Sequence, residues 1–186
     1  MEIMNAGGGI ASTVRQTRAA SVDTLITQAQ LHLRRMLAHG TKTAESKTGY
    51  GLDTHTEETI LRLNEQGPVE LAATFLGAHA IPIEYSDCPD EYANPVCDEM
   101  LLAVKEWWER NAAGHPLPFV DVFCETGAFN LDQSRRILER ARTLGFPLKI
   151  HADEFSSLDG ASLVVELDAT SADHLVYTSA EEILAL

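Results

Sequence analysis

The stretch "LKIHADEF", residues 148–155, places titratable side chains directly after an apolar strand pattern. Two apolar residues alternate with Lys149 and His151, which is the period of a β-strand. Asp153 and Glu154 follow where the strand gives way to a loop. A buried strand is usually dry, so this density of charge at its carboxyl end predicts a functional site.

Further strands and helices alternate on both sides of this stretch. The other segments that favour strands are "GTKTAES" (40–46), "VELAATFLGAHA" (69–80), "FVDVFCETG" (119–127) and "SADHLVY" (171–177). Helical spacing of apolar residues occupies 21–39, 54–67, 98–114, 132–145 and 179–186. Such alternation is typical of parallel sheets built from crossover units.

The fold class that follows is α/β, with five strand-helix units in 186 residues. A complete (β/α)8 TIM barrel takes about 250 residues, so we expect a partial barrel, with an open doubly wound sheet as the alternative. No linker divides the chain, and residues 1–186 are expected to form a single partial barrel domain. The opening "MEIMNAGGGI" lacks a helix cap and the close lies within a helical pattern, so both ends are expected to be truncated.

Two segments carry more specific expectations about packing. The helix at 21–39 is predicted to face the core through six apolar residues, Leu25, Ile26, Ala29, Leu33, Met36 and Leu37. The acidic, proline-containing segment at 82–99 is interpreted as a loop insertion after the second strand. The adjacent Trp107 and Trp108 are interpreted as packing residues of an amphipathic helix.

Composition excludes several classes of protein. There are 28 acidic residues against 14 Lys and Arg, a net charge of −14 that disfavours nucleic acid as a partner. The chain has no run of about 18 apolar residues, and no membrane partner is expected. The three cysteines form no CxxC pair, so reduced thiols and a cytoplasmic location are expected.

Three histidines, His79, His151 and His174, fall at or near the carboxyl ends of predicted strands. In barrels and open parallel sheets the active site forms at this edge, because the loops there converge. Each histidine alone could equally be a satisfied structural residue. Their shared position favours a site.

The side chains near His151 suggest metal-assisted chemistry. In a continuous strand Lys149, His151 and Asp153 share one face, so His151 can point into the barrel. A neutral imidazole is a good ligand for zinc or ferrous iron, but one histidine alone does not make a metal site. Glu154 could turn over the same cavity as a proton shuttle, or simply begin a solvated loop.

The neutral ring of His174 could accept a proton from a metal-activated water. Asp173 has the opposite parity in its strand and is expected to face the surrounding helices.

Two glycine-containing segments are further candidates. Tyr50 in "ESKTGYGLD" (45–53) could offer its hydroxyl to an anionic or carbonyl ligand, or serve as a packed lid. The segment "NAGGGIAS" (5–12) is a weak phosphate-binding candidate, because it lacks both GK[ST] and the GxGxxG spacing.

Taken in order, six stretches resemble the imidazolonepropionase family of the amidohydrolase superfamily. They are "GGGIASTV", "GTKTAESKTGYGLD", "TFLGAHAIPIEY", "DVFCETGAF", "KIHADE" and "SADHL". The resemblance implies a metal-dependent barrel beside a small β-sandwich, of which this chain would cover roughly strands two to six. It further implies hydrolysis of 4-imidazolone-5-propanoate to N-formimidoyl-L-glutamate in histidine degradation, by a cytoplasmic protein that could be a homodimer.

The resemblance also assigns roles to individual residues. His151 matches the family's metal ligand for Zn or Fe, and His174 matches its catalytic histidine. Glu154 matches a glutamate that contacts the substrate and moves protons, while Tyr50 and His79 match substrate-binding residues. Whether Glu154 or His174 is the general base stays open.

The chain departs from the family pattern in its metal ligands. The family's HxH pair, a following arginine for the substrate carboxylate and a late metal-binding aspartate have no counterpart in these 186 residues. With one of the usual ligands, His151 is expected to hold a metal poorly and the chain alone to be inactive. Three alternatives stay open: another amidohydrolase, such as a deaminase or cyclic amidase; a Schiff-base lyase using Lys149; and a non-catalytic acidic barrel fragment.

Overall fold

A computed structural model of the protein describes residues 9–62 and 67–186. Its sheet has five strands in the order β1-β2-β3-β4-β5, and each neighbouring pair is parallel. The strands are β1 (Thr43–Lys47), β2 (Glu70–Ala78), β3 (Phe119–Cys124), β4 (Leu148–Ala152) and β5 (Ser171–His174). Four lie within the segments that the sequence predicts, and β1 extends one residue beyond its predicted segment, to Lys47.

Helices precede the sheet and connect its strands. They are α1 (Ile10–Ala19), α2 (Val22–Ala38), α3 (Thr54–Arg62), α4 (Leu101–Asn111), α5 (Leu131–Thr143), α6 (Gly160–Glu166) and α7 (Ala180–Ala185). The sequence patterns do not predict α1 or α6. The first begins at Gly9 without a side-chain cap, and the second has only seven residues after a left-handed Asp159, so each lacks the usual start signals.

The order of the strands decides between the two predicted architectures. A doubly wound sheet reverses its strand order at a switch point, whereas the strands of a barrel follow one another in sequence. The described sheet runs from β1 to β5 without reversal. The α/β class and a parallel sheet of the partial-barrel kind are therefore confirmed.

The two faces of the sheet differ in chemistry. In β3, Val120, Val122 and Cys124 are completely buried, and they pack in one core with Ile137 and Leu138 of α5. The alternate residues face the opposite side, which we call the inner face. It is formed by Glu45, Lys47, Asp121, Lys149, His151 and Asp173, whose side chains contact one another. Side-chain alternation thus separates an apolar helical layer from a charged inner face.

The prediction that residues 21–39 form a core-facing helix is confirmed for the helix itself but wrong for the carboxyl-terminal end of its apolar stripe. The helix exists as α2, but Leu33 is its one buried residue among those described. Met36 and Leu37 are 36% and 41% exposed. Periodicity reports which face of a helix is apolar, and it does not report what covers that face.

Residues 82–99 are not a loop insertion, which corrects another prediction. They form short helical turns, Ile83–Tyr85, Pro89–Tyr92, Ala93–Pro95 and Val96–Met100, that lead directly into α4. Tyr92, Val96 and Cys97 are at most 2% exposed and belong to the main core. Prolines lack a backbone donor, so this segment follows the core in short turns rather than one regular helix.

Other expectations have mixed outcomes. Trp107 is 6% exposed and packs in the core, as predicted. The three cysteines are free. The described helices include none with the length and hydropathy needed to cross a bilayer. Residues 5–8 of the weak phosphate-binding candidate lie outside the described ranges.

Candidate active site

Four predicted site residues lie in one arc at the carboxyl edge of the sheet. Ring centroids are separated by 5.1 Å between Tyr50 and His79, and by 5.2 Å between His151 and His174. Phe123 joins the two pairs, at 6.1 Å from His79 and 6.2 Å from His151. Three strand ends and one loop therefore bring these rings together.

His79 follows β2, and its contacts fix the position of its proton. The Nδ1 atom lies 2.9 Å from the backbone oxygen of Gly49. A carbonyl oxygen can only accept, so Nδ1 donates this hydrogen bond. Burial lowers the pKa of His79, which favours the neutral ring. The Nε2 lone pair is then the acceptor that His79 can offer to a ligand.

Tyr50 is carried by a tight loop between β1 and α3. Its neighbour Gly49 has φ +103, and a Cβ at that position would lie 2.9 Å from the Leu76 oxygen. Glycine is therefore required there by both conformation and space. Tyr50 itself is 38% exposed, so its side chain is accessible to a ligand.

His151 lies against two carboxylates of the inner face. Its Nδ1 is 2.8 Å from Oδ2 of Asp121, and its Nε2 is 3.6 Å from Oδ2 of Asp173. The 2.8 Å approach is not an aligned hydrogen bond, since Nδ1 of His151 and Oδ1 of Asp121 are both buried without a hydrogen-bond partner. A polar atom left unpaired in a buried site is one that a bound ion or water would satisfy.

Lys47 supplies the positive charge of this cluster. Its Nζ lies 2.9 Å from Oδ2 of Asp121 and 2.6 Å from Oδ2 of Asp173. Burial opposes the charged form, but these carboxylates prevail and raise the pKa of Lys47. The lysine is therefore charged at neutral pH and balances two acids.

The donor set at this position fits a divalent cation. Within the described ranges, Asp121, His151 and Asp173 offer ligand atoms that all lie within 4.8 Å of one another. One imidazole and two carboxylates are a common combination for zinc or ferrous iron. Of these residues the sequence predicts His151 as a ligand, whereas Asp121 and the neighbouring Lys47 were not predicted. Parity within β3 could have placed Asp121 on the inner face, because its neighbours Val120 and Val122 are the apolar residues of that strand.

The predicted orientation of Asp173 is wrong. The register pairs His151 with Asp173, so both side chains point to the same face of the sheet. His174 would then point away, but it has φ +76 and the next residue, Leu175, has φ +55. This turn at the end of β5 breaks the alternation and brings the His174 ring beside His151.

A similar turn corrects the prediction for Asp153. The strand ends at Ala152, and Asp153 has φ +55, so its carboxylate leaves the inner face. It accepts hydrogen bonds from Leu158 N at 3.3 Å and Thr178 Oγ1 at 2.8 Å. Glu154 is brought over the site instead, and its Oε2 lies 3.4 Å from His174 Nε2. The two predicted proton-transfer residues are therefore neighbours.

The loop that carries Glu154 is held by Glu125, which directly follows β3 and was not predicted as a functional residue. The Glu125 carboxylate is 2% exposed and accepts from the backbone N–H groups of Phe155 at 2.8 Å and Ser156 at 3.3 Å. Burial favours the neutral acid, but these donors and the Ser156 hydroxyl hold the pKa of Glu125 below its ordinary value. Glu125 therefore acts as a buried anchor for this loop.

Lys149, the residue of the lyase alternative, shares the inner face with His151 as predicted. Its Nζ lies 2.9 Å from Oε1 of Glu45 and 4.6 Å from the centroid of the Phe119 ring. A Schiff base forms when the amine attacks a carbonyl, and here the amine contacts a carboxylate and an aromatic ring instead. The geometry gives a Schiff-base reaction no support.

The curated relatives described below all carry the same name, imidazolonepropionase. No family model matches the chain. It is 51% identical over 189 residues to the imidazolonepropionase of Herpetosiphon aurantiacus, 49% over 183 residues to that of Alkaliphilus oremlandii and 50% over 187 residues to that of Bacillus velezensis. These matches cover 96–100% of this chain but only 42–44% of the relatives, so the chain spans less than half their length. The predicted resemblance is confirmed.

Proposed function

The chain belongs to the imidazolonepropionase family, and from this premise we propose that it supplies part of a hydrolase active site. The reaction would open the cyclic amide of 4-imidazolone-5-propanoate to give N-formimidoyl-L-glutamate. The observation that carries the proposal is the arc of Tyr50, His79, His151 and His174, with Glu154 beside His174. It gathers hydrogen-bonding, metal-binding and proton-transfer groups at one edge.

Substrate orientation is assigned to Tyr50 and His79. The free lone pair on Nε2 of His79 would accept a hydrogen bond from a ring N–H of the substrate. The exposed hydroxyl of Tyr50 would donate to a carbonyl or carboxylate oxygen. Holding the reacting groups in place is itself a large part of such catalysis.

A divalent ion, Zn or Fe, would be held by His151 with help from Asp121 or Asp173. Such an ion polarises a carbonyl and makes a water molecule more acidic. The two aspartates bring more negative charge to His151 than the sequence alone predicts. Lys47 offsets part of it, which keeps the affinity of these residues for a cation below that of a full ligand set.

His174 and Glu154 are assigned to proton transfer. Hydrolysis adds one water across the amide C–N bond, so one proton leaves the water and one reaches the departing ring nitrogen. At 3.4 Å, the imidazole and the carboxylate can share both transfers. Either residue could take the first proton.

The setting of the reaction is also part of the proposal. Free cysteines support a reducing compartment such as the cytoplasm. The net charge of −14 supports a small-molecule substrate rather than nucleic acid. A homodimer stays a prediction.

Replacing His174 by Asn in the natural full-length protein that contains these residues tests the catalytic assignment. We expect kcat to fall by about 10²–10⁴-fold, because one proton-transfer group is lost. Metal content, measured by mass spectrometry, should stay unchanged in His174→Asn and fall in His151→Asn.

The matched control is His115→Asn, which changes an exposed histidine after α4. It should keep both turnover and metal. Undiminished turnover in His174→Asn would refute its role, and a wild-type protein that fails to open the imidazolone ring would refute the proposed reaction.

A further inference from the structure

A buried glutamate lies directly behind the Tyr50 loop. Glu57 of α3 is completely buried. Its Oε1 accepts from the backbone N–H groups of Gly51 at 2.7 Å and Leu52 at 2.9 Å, and its Oε2 accepts from that of Gly49 at 2.9 Å. These three amides come from the residues immediately around Tyr50. One carboxylate therefore binds both sides of the loop.

The carbonyl groups of the same loop are also held by side chains. The Gly49 oxygen accepts from His79 Nδ1, and the Leu52 oxygen accepts from the Tyr92 hydroxyl at 3.1 Å. Arg18 of α1 donates to the Gly51 oxygen. Side chains from α1, α3, the end of β2 and the turns before α4 thus fix a loop of a few residues.

We call Glu57 and the three amides that it binds, those of Gly49, Gly51 and Leu52, the clamp. Burying its carboxylate costs free energy that simple packing of the core would not require. A buried carboxylate is unfavourable unless hydrogen bonds replace its water, and an apolar residue could fill the same core position. Burial raises the pKa of Glu57, while the backbone donors act in the opposite direction. The donors all belong to the segment around Tyr50, so its order is what the buried acid stabilises.

We propose that Glu57 is a positioning residue that holds Tyr50, and through Gly49 also His79, in the orientation required to bind the substrate. The inference rests on the proposed function in taking Tyr50 and His79 as substrate contacts. Glu57 does not reach the substrate itself. Its effect passes through Gly49, whose N–H donates to Glu57 and whose carbonyl oxygen accepts from His79.

Hydrogen–deuterium exchange of the natural full-length protein tests the clamp without turnover. In the wild-type protein, the amides of Gly49, Gly51 and Leu52 should exchange at least about 100-fold more slowly than in an unfolded chain, because each donates to a buried carboxylate. Exchange of these amides at unfolded-chain rates would overturn the proposal even if no variant can be purified.

Glu57→Gln keeps the size of the side chain but replaces one acceptor oxygen with an amide donor. Protection of the three amides should fall about tenfold or more, whereas that of the β3 core amides should change little. The KM for the imidazolone substrate should rise about tenfold, with a smaller change in kcat, because the loss is in substrate orientation.

The matched control is Glu182→Gln, which removes a carboxylate that is 7% exposed and bound to Ser179 and Ser162, away from the loop. It should leave loop exchange and KM unchanged. Unchanged exchange and KM in Glu57→Gln would overturn the inference. If the wild-type protein does not act on the imidazolone, the proposed reaction fails, and exchange in Glu57→Gln still decides whether Glu57 holds the loop.

Discussion

At the scale of single residues, Lys47 has the widest influence on the inner face. Three carboxylates, Glu45, Asp121 and Asp173, lie within 4.0 Å of its ammonium. Asp121 is 1% exposed, so it depends on this partner for its charge balance. A buried ion pair adds little net stability compared with an apolar pair, but removing one partner leaves a buried charge that is costly.

Lys47→Met should therefore lower the free energy of unfolding by about 3 kcal/mol, because the buried carboxyl group of Asp121 loses its ammonium partner. Urea denaturation followed by circular dichroism measures this change. Lys42→Met is the control, since Lys42 is exposed, and it should stay within about 0.5 kcal/mol of wild type. A Lys47→Met value as small as that of the control would contradict the assigned role.

At the scale of elements, each of three loops at the carboxyl edge of the sheet is held by a buried acidic side chain. The loop after β1 is held by Glu57, the loop after β4 by Glu125, and the segment after β5 by Asp153. Each acid is at most 2% exposed and accepts from backbone or hydroxyl donors of the loop it holds. Loops are ordinarily more mobile than the strands and helices that they connect. Hydrogen bonds to these buried acids restrain the loops and so fix the geometry of the site.

Helix α5 supports the site from the other side of the sheet, and its start is well defined. The side chain of Asn130 accepts from Gln133 N at 2.9 Å, and the side chain of Gln133 accepts from Asn130 N at 2.9 Å. Asn130→Ala should lower the free energy of unfolding by about 1 kcal/mol, because it leaves an N-terminal donor of the helix unpaired. Thermal and urea denaturation measure this change in the free energy of unfolding.

The conservative variant Asn130→Asp keeps a side-chain acceptor at the helix start. It should therefore stay close to wild type in both measurements. Equal losses in the Ala and Asp variants would mean that the cap does not stabilise α5.

At the scale of the whole molecule, buried and half-buried acids set how stability depends on pH. Burial opposes ionisation of Glu45, Glu125 and Asp173, but hydrogen bonds and lysine charges prevail and lower the pKa of each. An acid with a lowered pKa in the folded state contributes stability that is present above its ordinary pKa and lost as pH falls through the folded value. Glu57, with a raised pKa, acts in the opposite direction.

We therefore expect the free energy of unfolding to fall as pH decreases from about 5 towards 2, because Glu45, Glu125 and Asp173 lose their contributions as they are protonated. Denaturant titrations at several pH values measure the slope. Glu125→Gln should reduce that slope, since its side chain no longer titrates. A stability that is constant across this range would contradict the charge assignments.

Features of the fold that depend on residues close together in the sequence could be predicted, whereas those that depend on contacts between distant segments could not. Strands β3 and β4 follow from alternation within five or six residues, and the histidine positions follow from where those strands stop. The wrong interpretation of 82–99 arose because Tyr92 and Val96 are buried by contacts with distant segments, which composition does not reveal. The prediction for α2 was wrong in part for the converse reason. The apolar stripe of this helix can be read from the sequence, but whether another segment covers it cannot.

The sequence by itself determined the parallel alternating fold, the family resemblance and the histidines at the strand ends. Only the tertiary structure decided which side chains meet. Lys47 and Asp121 are 74 residues apart, and the face of Asp173 depends on the register of β5 against β4. The left-handed residues at Asp153 and His174 then reverse the local parity. Periodicity is a property of one segment, whereas register and turns arise from the packing of several segments. The geometry of the candidate site depends on register and turns.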